Sequence, residues 1–396
     1  MPHAVTPIGE LTAPFDYQPR TRIVFGAGAV ARVGEIVREL GARKILLVTD
    51  PGLAAAGHEK HVLQSLAADG VHAVVFDRVH ENPTTRDVDA CLAVARAAGI
   101  EAIIGLGGGS SMDTAKGCNF LLTNGGQMKD YWGVGKATKP MLPLIAIPTT
   151  AGTGSECQSA ALIADEATHQ KMACLDPKAA ARVAILDPAL TVSMPPRVAA
   201  CTGIDAIAHA VETAVTKKRT LLSVMFSHEA FQRLVPNLAR VLENPGDLEA
   251  RGHMLLGAAL AGTAIENSML GAAHSAANPL TAHYGIVHGQ AVGMMLPHVV
   301  RFNALDEYAR QAYAELASAP EIACVSEGVD QAVEALVREI EALLELAKMP
   351  ATLGACGVLE KDLPKLAAEA AKQWTASFNP RPVTEKDFLA LFEAAF

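Results

Sequence analysis

An α/β half followed by an all-helical half is the fold class this sequence predicts, and three observations carry the prediction. Apolar strands alternate with amphipathic helices from Arg22 to about residue 188. Strand signals then stop, and from Ser193-Met194-Pro195-Pro196 onward nearly every segment has helical period, punctuated by Pro and Gly. The stretch 102–124, AIIGLGGGSSMDTAKGCNFLLTN, sets a buried strand, a glycine turn and a helix in immediate succession. Together these place a domain boundary near residue 190, with one domain over 1–190 and a second over 191–396.

The alternation begins with a strand at 22–25, a Gly26-Ala27-Gly28 turn and an amphipathic helix over 29–40. A continuous apolar strand over 44–49 ends at Asp50, before Pro51-Gly52 and a helix over 58–68. A strand at 72–77 leads through Asn82-Pro83-Thr84 into a helix over 86–98. The glycine stretch comes next, and then a strand at 142–148 and short β segments at 159–163, 171–174 and 183–186. Strands that are apolar throughout and separated by helices predict a parallel sheet covered on both faces. Such a sheet binds nucleotides at the carboxyl ends of its strands.

Several side chains fit that ligand. Gly107, Gly108 and Gly109 remove every Cβ from the bend, and Ser110 is placed to cap a helix starting near Ser111. Free amides and the helix dipole then make an anion site suited to a pyrophosphate. Asp113 and Lys116 follow at helical spacing. Asp50, at a strand end, suits a ribose 2′-OH and would repel a 2′-phosphate, favouring NAD(H) over NADP; its plainer role is a turn carboxylate before Pro-Gly. Thr149-Thr150-Ala151-Gly152-Thr153-Gly154-Ser155-Glu156 offers hydroxyls and glycines for phosphate or ribose, a density that equally suits a solvent loop.

Composition narrows the partners. With 396 residues and 50% hydrophobic content the chain buries a large core in two or three domains. A net charge of −9 without a basic run argues against nucleic acid and against an anionic membrane surface. The first fifteen residues carry neither a positive start nor an apolar core, so no secretory signal is expected, and no apolar run approaches the ~20 residues of a membrane span. Seven scattered cysteines without a C-x-x-C pair read as buried thiols in a reducing cytoplasm. The expected partner is a small molecule.

The second half reads as helices over 220–242, 248–278, 288–317, 330–346, 360–375 and 385–395. In 330–346, Val333, Leu336, Ile340, Leu343 and Leu344 form one apolar stripe, which is core. The chemistry lies between 202 and 288. Asp205 and His209 stand four apart in an apolar helix, so both project from one face about one turn apart and can chelate a divalent ion. Two plainer readings compete: Thr202 with Asp205 fits a capping box, and a buried histidine is usually a hydrogen-bonded core residue. His274 is placed near the end of a long helix and His288 at the start of the next, with Pro279 and Gly285 between. One carboxylate and three imidazoles make a mixed site for iron(II) or zinc with an open position for a substrate oxygen. Spacing alone leaves the third imidazole open among His283, His288 and His298.

GGGSSMDTAK, PTTAGTGSE, the Asp205-x-x-x-His209 pair, and His274 with His288-Gly289 together resemble the iron-containing alcohol dehydrogenases, which share a superfold with glycerol dehydrogenase and dehydroquinate synthase. The resemblance runs from Phe25-Gly26-Ala27-Gly28 to about Asn303. It implies a Rossmann-like nucleotide domain, an all-α domain and an active site in the cleft between them. It further implies metal ligands at Asp205, His209, His274 and His288, choosing His288 by analogy. Nucleotide contacts are implied at Asp50, Asn82, Gly108, Gly109, Ser110, Asp113, Thr149, Thr150, Thr153 and Lys171. Many members carry a histidine four residues after the third ligand, credited with a role at the nicotinamide or in proton relay. Asn278 stands there instead, so the relay falls to another group, His283 or water among them.

The resulting expectation is a cytoplasmic, homodimeric, NAD(H)-linked alcohol dehydrogenase or aldehyde reductase that uses one divalent ion, iron(II) before zinc, as Lewis acid. A maleylacetate-reductase-like enzyme is the alternative within the fold, and would carry a basic substrate pocket. A dehydroquinate-synthase-like lyase would use NAD transiently and show no net NADH change. A non-catalytic nucleotide- or metal-binding protein would turn nothing over.

Overall fold

A computed structural model describes residues 14–396 apart from 169 and 321. The described chain forms two compact units, Gln18–Met194 and Pro195–Phe396, with residues 14–17 grouped with the second.

The first unit contains β1 (Arg22–Phe25), α1 (Val33–Glu39), β2 (Lys44–Val48), α2 (Pro51–Ala56), α3 (His58–Ala68), β3 (His72–Phe76) and α4 (Thr85–Ala98). It continues through β4 (Ala102–Gly107), α5 (Gly109–Asn124), β5 (Gly133–Val134), β6 (Leu144–Pro148), β7 (Ala160–Ala164), β8 (Lys171–Leu175) and β9 (Val183–Leu186). Among the described residues, six strands pair in parallel in the order β1-β9-β6-β4-β2-β3. The strands are apolar throughout because both faces are covered. In β2, Ile45 and Leu47 join the core that includes Val33, Ile36 and Leu66, while Leu46 and Val48 join the opposite core with Val88, Cys91 and Met112. The chain runs from β2 outward to β3, then returns to β4 on the other side of β2. Such a reversal marks the strand ends where α/β sheets bind ligands, here the carboxyl ends of β2 and β4. A small sheet, β5-β8-β7, packs its strands separately.

The second unit contains α6 (Pro196–Val215), α7 (Leu221–Glu243), α8 (Leu248–Glu266), α9 (Ala272–Tyr284), α10 (His288–Asn303), α11 (Glu307–Ser318), α12 (Val329–Leu346), α13 (Leu363–Ala370) and α14 (Glu385–Ala395). Three helices expected as continuous are broken, the one over 360–375 keeping α-helix only over Leu363–Ala370. The run over 248–278 breaks at 267–271, where Gly271 takes non-helical angles of φ −130° and ψ −141°. The run over 288–317 breaks before Asp306, whose carboxylate accepts from the Ala309 N–H at 3.0 Å and restarts the helix. The break at 267–271 moves His274 from a helix end to the first turn of α9.

Close helix contact fixes α10. A Cβ on Gly289 would lie 2.0 Å from the Cys201 carbonyl oxygen, and one on Gly293 would lie 2.5 Å from Ile204 Cγ2. The two glycines, one turn apart, therefore let the start of α10 lie directly against α6.

Candidate functional site

Helix α6 is apolar enough in composition to span a membrane, yet 89% of that window is buried inside the protein. On this buried helix Asp205, His209 and Glu212, at intervals of four and three residues, share one face. Thr202 caps nothing: it lies inside α6 and its hydroxyl donates to the Val198 carbonyl at 2.8 Å. The capping-box alternative for Asp205 is thereby removed.

Three imidazoles converge on one carboxylate oxygen. Asp205 Oδ1 stands 3.4 Å from His274 Nε2, 3.6 Å from His209 Nε2 and 4.0 Å from His288 Nε2. The rings of His209 and His274 stack at 4.8 Å between centroids, and those of His274 and His288 tilt at 5.5 Å. These separations are long for hydrogen bonds. Ligand atoms about 2.1 Å from a shared tetrahedral centre stand about 3.4 Å apart, which is the spacing of the closer pairs. Asp205 Oδ1 and His274 Nε2 are fully buried and have no hydrogen-bond partner of good geometry among the described residues. Buried polar atoms are nearly always satisfied, so this pair of orphans, facing each other, fits a cation. Asp205, His209 and His274 are buried, while the side chain of His288 is 31% exposed and gives the set its open side. Burial alone would raise the Asp205 pKa, but the imidazoles of His209, His274 and His288 outweigh it and hold the carboxyl well below the usual range.

Glu212, which spacing and composition do not single out, backs the cluster. Its Oε2 lies 2.5 Å from His274 Nδ1, and its Oε1 accepts from the Ala273 N–H at 2.7 Å. Burial lowers the His274 pKa, yet Glu212 and Asp205 together push it up to about 9. The available signal was position: Glu212 is a third ionisable group on the polar face of a helix otherwise buried among apolar neighbours.

His283 and His298 are not brought to this cluster. His283 follows His274 by nine residues on α9, about 13 Å along the axis, and its Nε2 meets Glu369 Oε2 at 2.6 Å. His298 lies ten residues beyond His288 on α10, about 15 Å along the axis. Asn278 sits one turn after His274, half-buried, and its amide donates to Gln373 Oε1 at 3.0 Å.

In the α/β unit Asp50, Gly108, Gly109, Ser110, Thr149, Thr150 and Thr153 follow the carboxyl ends of three adjacent strands, β2, β4 and β6, whereas Asn82 follows β3 and Lys171 lies on β8 of the small sheet. Helix α5 begins earlier than expected, at Gly109, with Gly108 as its cap residue and no side-chain cap. Ser110 instead braces a neighbouring loop. Its hydroxyl accepts from the Asn82 N–H at 3.3 Å, and Asn82 is held at φ +54°. Gly109 lets this turn approach the loop after β6, since a Cβ there would lie 2.9 Å from Thr153 Cγ2. The Thr149 N–H donates to the Gly107 carbonyl at 3.1 Å, joining the ends of β4 and β6. Asp50 caps α2 by accepting from the Leu53 N–H at 3.1 Å, ahead of Pro51 at the first helical position. A carboxylate has further lone pairs, so capping leaves it able to accept from a ribose hydroxyl.

Asp113 and Lys116 face inward. Lys116 is fully buried and its ammonium donates to the Ser155 carbonyl at 2.7 Å, the Ser155 hydroxyl at 2.8 Å and the Ala160 carbonyl at 2.9 Å. The Ser155 hydroxyl donates in turn to Asp113 Oδ1 at 3.1 Å. Burial raises the Asp113 pKa to about 6 against the opposing pull of Lys116 and Lys171. Lys171 itself is exposed on β8. Asp113 is thus enclosed by protein groups, unlike Ser110, Thr150 and Thr153, which are partly exposed.

A parallel-sheet unit with a glycine-built strand edge, and a helical unit with a converging carboxylate and imidazole set, define a metal-dependent, nucleotide-linked dehydrogenase. Comparison with known proteins agrees. The iron-containing alcohol dehydrogenase family matches residues 19–188, and the C-terminal part of the Fe-containing alcohol dehydrogenase family matches residues 199–396. The NAD-dependent methanol dehydrogenase of Bacillus methanolicus is 33% identical over 372 residues, 94% of this chain and 97% of the relative. A crystal structure of 1,3-propanediol oxidoreductase superposes with a TM-score of 0.93 at 33% identity, covering 97% of this chain and 100% of that one. Sulfoacetaldehyde reductase from Bifidobacterium kashiwanohense, solved in complex with NAD+, gives 0.87 at 27% identity, covering 96% and 98% of the two chains. The chain belongs to the iron-containing alcohol dehydrogenase family. Its activity is accordingly NAD-dependent, divalent-metal oxidoreduction between alcohols and aldehydes or ketones.

Proposed function

We propose that Asp205, His209, His274 and His288 hold one divalent ion, iron(II) in the first instance and zinc as the alternative, and that this chain interconverts a small alcohol and its aldehyde or ketone. The observation that carries the reading is the pair of buried, partnerless atoms, Asp205 Oδ1 and His274 Nε2, facing each other at 3.4 Å. The bound ion supplies a Lewis acid for the substrate oxygen, and NAD(H) accepts or delivers the hydride.

The chain's own residues bind and orient these groups. Gly108, Gly109 and Ser110 present the start of α5 to a pyrophosphate, with Thr149, Thr150 and Thr153 across the turn and Asn82 beside Ser110. Asp50 receives a ribose hydroxyl and discriminates against NADP. Asp113 and Lys171 act on the same edge, Asp113 by holding Ser155. Asn278 is a neutral donor and acceptor that positions substrate or nicotinamide, and the proton travels by water, because the His283 ring is engaged by Glu369 far along α9. The same reading takes the working enzyme to be a cytoplasmic homodimer with no nucleic acid or membrane partner.

The test combines elemental analysis with an NADH-oxidation screen of small aldehydes in the presence of iron(II) or zinc. Asp205→Ala, His209→Ala, His274→Ala and His288→Ala should each lose most of the ion and at least about 1000-fold in turnover, because several kcal/mol of oxygen polarisation disappear. Full metal occupancy in His274→Ala and His288→Ala would reject the assignment.

A further inference from the structure

Helix α9 carries His274 in its first turn but has no local cap. Gly271 precedes it without a side chain, and the orphan N–H groups are taken by residues from elsewhere in the helical unit. Asn379 Oδ1 accepts from the Ala272 N–H at 3.2 Å, and Glu212 Oε1 accepts from the Ala273 N–H at 2.7 Å. Glycine at 271 is required for this approach, since a Cβ there would lie 2.9 Å from Asn379 Oδ1 and 3.2 Å from Glu212 Oε1. Asn379 is itself fixed through a reciprocal amide pair with Asn303, at 2.7 and 3.1 Å.

Glu212 therefore grips two neighbouring points. One oxygen holds the backbone of residue 273, and the other holds the ring of residue 274 at 2.5 Å from Nδ1. A backbone N–H can only donate, so Oε1 must accept. Oε2 faces Nδ1 at hydrogen-bond distance, so Nδ1 carries the shared proton and Nε2, on the far side of the ring, is the atom aimed at Asp205. We propose that Glu212 is a positioning residue for the ion: it fixes the His274 tautomer and ring angle, so that affinity for the metal depends on a carboxylate that does not touch it. This rests on the proposed metal-binding role of Asp205 and the three histidines.

Replacing Glu212 with glutamine keeps size and shape but leaves only one acceptor oxygen for two donors. If that oxygen serves Ala273, the amide NH2 faces Nδ1, which must then accept, and the ring proton moves to Nε2 and blocks the ligand atom. If the oxygen serves Nδ1, two donors collide at the start of α9. Either arrangement weakens the centre.

The test titrates metal-stripped full-length protein with zinc(II) against a chelating chromophore, alongside thermal unfolding. Glu212→Gln should still unfold cooperatively and bind zinc 10–100-fold more weakly, the range typical for loss of a group that orients a metal-ligating histidine. Glu212→Asp, which keeps both acceptors on a shorter stem, should fall between the two. An affinity for Glu212→Gln within about twofold of the unmodified protein would overturn the proposal. Should that variant fail to fold, nitrogen-15 NMR of the zinc-loaded unmodified protein decides: a proton on Nδ1 of His274 supports the proposal, and zinc on Nδ1 overturns it. Asp205→Ala is the control. If it also binds zinc normally, the metal-binding role fails together with the proposal; if it loses zinc while Glu212→Gln does not, only the proposal fails.

Discussion

Two buried carboxylates, one in each unit, meet opposite fates. Glu156 in the α/β unit and Asp205 in the helical unit are both deeply buried, and each has an oxygen without a hydrogen-bond partner. Burial pushes Glu156 up to about 7, against a lesser opposing pull from its own backbone N–H and then from the charge of Lys116. Asp205 is held below the ordinary carboxylate range because three imidazoles surround it. Burial alone thus says little about charge. The α/β unit ties up its buried cation and tends to protonate its spare carboxylate, whereas the helical unit keeps the carboxylate ionised and its best ligand atoms uncommitted.

The contrast can be broken most directly at Lys116. Lys116→Met would strand two carbonyls and the Ser155–Asp113 bond, and should cost about 3–5 kcal/mol in denaturant unfolding. A loss under about 1 kcal/mol would mean that the buried ammonium is not the strut its contacts suggest. The pH dependence of stability separates the two carboxylates next. A shift of Glu156 from 4.5 to about 7 corresponds to roughly 3 kcal/mol at ~1.36 kcal/mol per unit. Because its folded pKa is raised, the folded state holds the proton more tightly: the contribution is complete below pH ~4.5 and is lost as pH rises through about 7. Glu156→Gln should therefore gain stability relative to the unmodified protein across that window, and a parallel offset at every pH would refute the assignment. Asp205→Asn should behave in the opposite sense, since a depressed carboxylate stabilises above its unfolded pKa of 3.8 and loses that effect only as pH falls.

Added metal probes the helical unit alone. At about 100 times its dissociation constant, zinc should stabilise the protein by about 2.7 kcal/mol over a chelator-treated sample, and the gain should vanish in His274→Ala. An equal gain in both would place the ion elsewhere. The smallest effect is expected at Asp50, where capping and charge can be separated. Asp50→Asn retains an acceptor for the Leu53 N–H, so unfolding should shift by only a few tenths of a kcal/mol. The preference for NADH over NADPH should nonetheless narrow about tenfold, as read from kcat/KM with each cofactor. An unchanged ratio would leave Asp50 as a helix cap only.

Local, contiguous features were legible in the sequence. The glycine turn after β4, the apolar parallel strands and the Asp205–His209 pair each declare themselves within a few residues, where Cβ absence, two-faced burial and helical spacing leave a pattern. What depended on distant partners was not legible. Lys116 reads as an ordinary helix charge until Ser155 and Ala160 fold onto it. Spacing could not separate His283 from His288; the fold does so by bringing His288 Nε2 to 4.0 Å from Asp205 Oδ1 and His283 to Glu369, far along the chain. The position of His274 in its helix turned on the backbone angles of Gly271, which composition cannot supply. Glu212 lay in plain sequence view, and its role emerged only with the ring and the N–H it serves.

The enclosure of Lys116 also gives the α/β unit a built-in chemical clock. An amine inaccessible to solvent and bonded at all three protons reacts with an acylating reagent only when the segment around it opens. Exposed lysines outside the nucleotide site, such as Lys139, label at their intrinsic rate and calibrate the reagent. The ratio of the two rates, read peptide by peptide in a mass spectrometer, reports how often the strand edge beneath the glycine turn breathes, and whether added NAD(H) slows it.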